Sequence, residues 1–208
     1  MENKTVKIPS GKVQLDGDLV IPKGARGIVL FAHGSGSSRL SPRNRFVAKV
    51  LQEAGIATLL FDLLTQEEEQ IDDVTAELRF DISFLAKRLK DATTWIKSQV
   101  PLKIAYFGAS TGSAAALIAA VGDPDIKAVV SRGGRPDLAE DALPKVKAPT
   151  LLIVGGDDME VIELNKQAAR RLKDVHIEII KGATHLFEEP GTLEKVADLA
   201  RDWFKRYL

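Results

Sequence analysis

Apolar residues along this chain follow two alternating rhythms. Short solid runs at 27–32, 56–61, 103–107, 126–131, 149–154 and 175–180 have the length and composition of strands, several of them apolar enough to be buried on both faces. Between them the spacing turns helical: Leu78, Ile82, Leu85, Leu89, Ala92 and Ile96 recur every three or four positions. Segments 161–172 and 193–208 also read as helices, and Ser41-Pro42 marks another start, serine as cap and proline at the first helical position. Residues 5–8 and 13–21 alternate instead, as two antiparallel strands of a hairpin turning at Pro9-Ser10-Gly11. Strand–helix alternation of this kind predicts an α/β fold: a mostly parallel central sheet of about eight strands, with helices on both faces, in one domain over residues 1–208. Little sequence is left for a lid. The longest insertion candidate, 63–75, carries Glu67-Glu68-Glu69 and Asp72-Asp73, read as solvated acids complementing the dipole of the helix that follows.

Composition narrows the class. The 208 residues are 45% apolar, and 29 basic side chains balance 29 acidic ones, so neither a nucleic-acid nor a membrane partner is expected. No apolar run reaches spanning length and no charged-then-apolar leader opens the chain, which makes a cytoplasmic monomer or small homo-oligomer the expectation. Without cysteine there is no disulfide, thiolate metal site or cysteine nucleophile. Three histidines, His33, His176 and His185, are too few for a multi-histidine metal site, and no cofactor is expected. The absent cysteine and two methionines would also suit an engineered chain.

Candidate chemistry collects where predicted strands end. Gly108-Ala109-Ser110-Thr111-Gly112 lies between an apolar strand and a helix of small residues, 113–120. A serine at that corner, with glycine two residues either side, fits a nucleophile elbow: the turn is sharp, a Cβ at either glycine would collide, and the helix aims N–H groups at a developing oxyanion. The N–H of Thr111 is one such donor. Gly155-Gly156-Asp157-Asp158 follows a later strand and Lys181-Gly182-Ala183-Thr184-His185 the last, giving the order serine, acid, histidine. An unassisted serine needs a base, and the base needs an acid to fix its tautomer. His185 is the expected base. His33, leading into His33-Gly34-Ser35-Gly36-Ser37-Ser38, is a rival with a structural role in view, while His176 alternates away from the core. On residues alone the acid is Asp157 or Asp158, either of which could also cap the next helix. Arg39, Arg43 and Arg45 after the first loop, and Arg132 and Arg135 around Gly133-Gly134, are expected at the rim, either paired with the acidic segment 63–75, the favoured reading, or, for Arg132 and Arg135, taking an acidic or phosphorylated ester.

The pieces LFAHGSGSS, GASTG, LLIVGGDD and KGATHLFEEPG, in this order, make the chain resemble the α/β-hydrolases, close to the dienelactone-hydrolase-like branch, over essentially its whole length. The resemblance implies an α/β-hydrolase fold, selects Asp158 as the acid by the spacing Gly-x-x-Asp, and places the second oxyanion donor at the N–H of Ser35. Dienelactone hydrolases proper use a cysteine where this chain has Ser110, which favours ordinary ester chemistry. The implied activity is a cofactor-free serine hydrolase (carboxylesterase-like) acting on small-molecule esters through an acyl-enzyme. The other readings are an acyltransferase using the same intermediate and a non-catalytic scaffold acting as a binding module.

Overall fold

The computed structural model describes residues 2–208. The strands are β1 (Glu2–Ser10), β2 (Val13–Ile21), β3 (Gly27–Ala32), β4 (Ala57–Phe61), β5 (Lys103–Ala109), β6 (Ile126–Arg132), β7 (Thr150–Gly155) and β8 (Val175–Ile180). The helices are α1 (Pro42–Glu53), α2 (Gln66–Thr75), α3 (Ile82–Gln99), α4 (Thr111–Ala120), α5 (Met159–Ala169) and α6 (Thr192–Tyr207). All eight strands form one sheet in the order β1-β2-β4-β3-β5-β6-β7-β8. β1 pairs antiparallel with β2 and β2 with β4; the rest of the sheet is parallel. The chain thus has the expected α/β-hydrolase architecture, and among the described residues no segment forms a lid domain.

Alternation along the strands explains the layers. In β3, Ile28 and Leu30 join one apolar cluster with Leu85, Leu89 and Ile96 of α3 and the alanines of α4. Val29 and Phe31 point the other way, into a second cluster with Val47 and Leu51 of α1 and Val196 and Phe204 of α6. Burial on both faces is what makes these strands solid apolar runs. Ser41 caps α1 through its side chain, accepting from Asn44 N–H, with Pro42 at the first helical position as expected.

Two local expectations change. Pro9 is not in the turn: it belongs to β1, opposite Gln14, and is tolerated because β1 is an edge strand that needs no outward N–H. The acidic segment after β4 is a helix in its own right. Thr65 and Glu68 form a reciprocal capping box, and Glu67, Glu68 and Glu69 occupy the first turn of α2. The helix also turns acids inward. Asp72 is buried and receives Arg79 Nε at 2.6 Å, and Glu68 pairs with buried Arg88, while Ile71 and Val74 stay exposed. An inward polar face has no apolar period for a sequence to display.

Candidate active site

β5 passes into α4 through Ser110, whose φ of 50° and ψ of −122° are a strained conformation for a residue with a side chain. Two glycines permit the corner. A Cβ at Gly108 would lie 2.5 Å from Ser113 Cα; one at Gly112 would lie 2.5 Å from the His33 carbonyl oxygen and closer still to that of Ala32. Below it, Ser131 Oγ donates to Ser113 Oγ at 2.9 Å and Ser113 Oγ to the Gly108 carbonyl at 3.0 Å, tying β6, α4 and β5 together. The backbone of Ser110 is held on both sides: its N–H donates to Arg132 and its carbonyl accepts from Arg135 N–H. Among the described residues the half-buried Ser110 hydroxyl has no hydrogen-bond partner.

The loop after β8 brings in the histidine. His185 Nδ1 and Asp158 Oδ2 are 2.7 Å apart, so an ionised Asp158 holds the proton on Nδ1 and leaves Nε2 as the free acceptor. Asp158 stands at the N-cap of α5, yet its side chain caps nothing; it goes to the imidazole. Asp157 is exposed and meets the histidine loop through its backbone N–H, which donates to the Ala183 carbonyl. The structure therefore brings Asp158, rather than Asp157, to His185. A Cβ on Gly133 would lie 3.7 Å from His185 Cε1, which sets the ring over the end of β6, next to the Ser110 corner. No direct hydrogen bond links Ser110 to His185 here; such contacts tighten when substrate is bound.

Sequence reasoning missed Glu189. Its carboxylate accepts from Thr184 N–H at 3.1 Å and Thr184 Oγ1 at 2.6 Å, bracing the residue before His185. Those bonds hold its pKa below the ordinary carboxylate value. Buried Phe187, at φ 57°, anchors the same loop from the other side. The signal was present in KGATHLFEEPG, where a glutamate follows the threonine by five positions, but nothing local marks it as a brace.

Ser35 and Thr111, the expected oxyanion donors, come together. Ser35 N–H donates to buried Thr111 Oγ1 at 3.0 Å, and Thr111 N–H opens α4, where it has no intrahelical acceptor. An oxyanion would share the Ser35 donor with the threonine hydroxyl or take it over.

His33 has both ring nitrogens engaged. Leu63 N–H donates to Nε2 at 3.0 Å, so Nδ1 carries the proton and donates to the Gly34 carbonyl at 3.0 Å. The ring clamps the β3 loop to the end of β4. Burial lowers its pKa below the ordinary 6.5, outweighing the Gly34 carbonyl and Asp62, which raise it. The sign follows from linkage: the unfolded chain binds this proton more readily than the folded one. The contribution to stability is full above pH 6.5 and is lost as pH falls toward the folded pKa. Urea titrations at stepped pH are expected to show wild type losing stability below that point more steeply than His33→Gln; equal slopes would exclude this role. His176 is exposed on β8, opposite Leu151 at the start of β7, and pairs with Glu178.

Of the arginines expected at the rim, four pair with acids and Arg132 is buried, and none of the pairs is with the acids of 63–75. Arg132 is 6% exposed, donates through Nη2 to Asn44 Oδ1 at 3.2 Å, and its Nε is buried without a partner. It points into the α1 face because it continues the alternation of Ala128 and Val130; burial, then Arg43, brings its pKa down to about 10. Arg135 clasps Asp137 with Nε and Nη2. Arg39 pairs with Asp62, Arg43 with Glu188 and Arg45 with Asp18. The cleft beside the Ser35 loop is lined by that loop, by Leu63, Leu64 and Leu85, and by Asp62, Glu69, Asp72 and Asp73 with Arg79; Asp62 pairs with Arg39, and Asp72 and Asp73 with Arg79. Glu69 is pushed up by burial and by the nearby carboxylates. Among the described residues no group of three or more His, Asp or Glu side chains could hold a metal ion, and no helix is long and apolar enough to cross a membrane.

This geometry has close relatives. A crystal structure of a dienelactone hydrolase from Anabaena variabilis superposes with a TM-score of 0.96 at 61% identity, covering 100% of this chain and 98% of that one. Est1E from Butyrivibrio proteoclasticus shares the fold at a TM-score of 0.82 and 18% identity, over 97% and 98% of the two chains. Two Mycobacterium tuberculosis proteins, from strains CDC 1551 and H37Rv, are 55% identical over 214 aligned residues and are named "Putative phosphoribosyl transferase". The match covers 100% of this chain but 47% of theirs, so the chain spans about half the length of these curated relatives. The profile of the Dienelactone hydrolase family matches residues 15–208. With its elbow, its acid–histidine pair and its sheet order in place, the chain belongs to the dienelactone hydrolase family of α/β-hydrolases.

Proposed function

We propose that the chain is a serine hydrolase that cleaves carboxylic esters through an acyl-enzyme. The observation carrying this reading is the 2.7 Å contact between His185 Nδ1 and Asp158, set beside a strained serine with an uncommitted hydroxyl. His185 Nε2 takes the Ser110 proton as Oγ attacks the ester carbonyl. The N–H groups of Thr111 and Ser35 hold the negative oxygen, and the α4 dipole adds to them. His185 then returns the proton to the departing alcohol, and water, activated by the same nitrogen, releases the acid. The first test is covalent labelling by a fluorophosphonate, which reports an activated serine without a choice of substrate; a folded sample that resists the probe would overturn the reading.

The acid assignment has its own test. Asp158→Asn would leave the ring in place but favour the wrong tautomer, and kcat is expected to fall by roughly 10⁴. Asp157→Asn should stay within a few-fold of wild type. Comparable losses in both would mean that the pair acts as general acidic surroundings and does not orient the ring.

The walls of the cleft suggest which esters suit it. With Arg132 buried, Arg135 committed to Asp137, and Glu69 the one carboxylate beside the Ser35 loop without an ion pair among the described residues, anionic esters would meet repulsion. Uncharged short-chain esters are expected to exceed anionic analogues of equal size by about tenfold in kcat/KM, and Glu69→Gln should narrow the gap. Equal rates for both ester classes would contradict this. The phosphoribosyl transferase name belongs to proteins more than half of whose length lies outside the match, and it is not carried over.

A further inference from the structure

The two edges of the sheet are built differently. β1 carries Lys4, Lys7 and Pro9, the residues that discourage pairing with another strand. β8, Val175-His176-Ile177-Glu178-Ile179-Ile180, has neither lysine nor proline, and Ile179 is 46% exposed. From this edge we infer that a second copy of the chain pairs antiparallel with β8, across a two-fold axis at Ile177, joining two sheets into one.

The phase of the backbone bonds and the order of side chains together select that register. The carbonyls of Asp174 and Ile180 accept from Thr150 and Gly156 on the β7 side. Even-numbered residues of β8 therefore direct their peptide groups at β7, and Val175, Ile177 and Ile179 direct theirs outward. Antiparallel pairing must match outward residue with outward residue, which leaves registers centred on 176, 177 or 178 within the strand. Centring on His176 sets histidine against histidine, and centring on Glu178 sets glutamate against glutamate, a like-charge pair. Centring on Ile177 pairs Val175 with Ile179 and Ile177 with its own copy, so every outward N–H and C=O finds a partner. It also sets each His176 opposite the other chain's Glu178 at the non-hydrogen-bonded sites, where side chains come closest. Face matching agrees: Val175 and Ile177 pack against the α3–α4 side of the core, so exposed Ile179 would cover Val175 of the second copy on that side. The His176–Glu178 pair, 2.8 Å apart within one chain, would be exchanged between chains. A two-fold of this kind is self-complementary and closes at two subunits.

Sedimentation of the full chain over a concentration series tests this. Wild type is expected to dimerise, with His176→Glu and Glu178→His each weakening the dimer at least tenfold, and the double swap restoring it. His176 is exposed and Glu178 half-buried on the edge strand, and circular dichroism and melting should confirm intact folding in every variant. The chain has no cysteine, which permits an independent check of register. Ile177→Cys on the axis, at the roughly 5.5 Å Cα separation of a hydrogen-bonded pair, is expected to cross-link under mild oxidation. Thr5→Cys on the opposite edge should not. A wild type that stays monomeric at hundreds of micromolar, or a dimer indifferent to both charge changes, would overturn the inference.

Discussion

Ser110→Ala is expected to abolish fluorophosphonate labelling and to lower ester kcat by roughly 10⁵–10⁶, with KM little changed. Removing the nucleophilic oxygen leaves the oxyanion donors and the binding cleft intact, so any remaining turnover comes from water positioned in the site. The same position should show function and stability opposed. Ser110 holds φ 50° and ψ −122°, a conformation glycine adopts at far lower cost than serine or alanine. Ser110→Gly is therefore expected to be equally inactive yet more stable than Ser110→Ala by about 1 kcal/mol in urea denaturation. Substantial activity in Ser110→Ala would move the nucleophile elsewhere. A glycine variant less stable than the alanine variant would show that the corner is not under strain.

The largest expected stability effect lies two residues on. Gly112→Ala would drive a Cβ between the Ala32 and His33 carbonyl oxygens, and these are backbone atoms at the end of β3, unable to rotate away. Either α4 lifts off the sheet, exposing its buried alanines, or β3 shifts and drags the Ser35 loop with it. A loss above about 4 kcal/mol is expected, beyond what most single substitutions cause. Gly182→Ala is the comparison: it has positive φ but nothing within 4 Å of a Cβ, so only the left-handed penalty of about 1–2 kcal/mol applies. If the two variants unfold alike, the close approach at Gly112 is not what holds the elbow together.

Where sequence and structure part company, the cause is contact between distant segments. α2 shows no helical apolar period because its inward face is Glu68 and Asp72, satisfied by Arg88 and Arg79 from beyond the helix. Arg132 resembles a rim residue until the alternation of β6 is followed to its end, where the side chain turns under α1. His33 Nε2 is taken up by Leu63 N–H, a contact across 30 residues that no local pattern marks. Glu189 is set apart from its neighbours only by the two bonds it accepts from Thr184.

The sequence by itself determined the α/β layering, the elbow at Ser110 and the order serine, acid, histidine, because each is written in local terms: periodicity, glycine spacing and strand ends. Only the tertiary structure decided that Asp158 rather than Asp157 meets His185, that the arginines are taken up by acids and by burial, and that β8 is the second edge of the sheet. Those outcomes depend on where separate strands and loops come to rest against one another. A side chain's partner across 27 residues or more is set by sheet order and by the direction each side chain leaves its strand, neither of which a local pattern encodes.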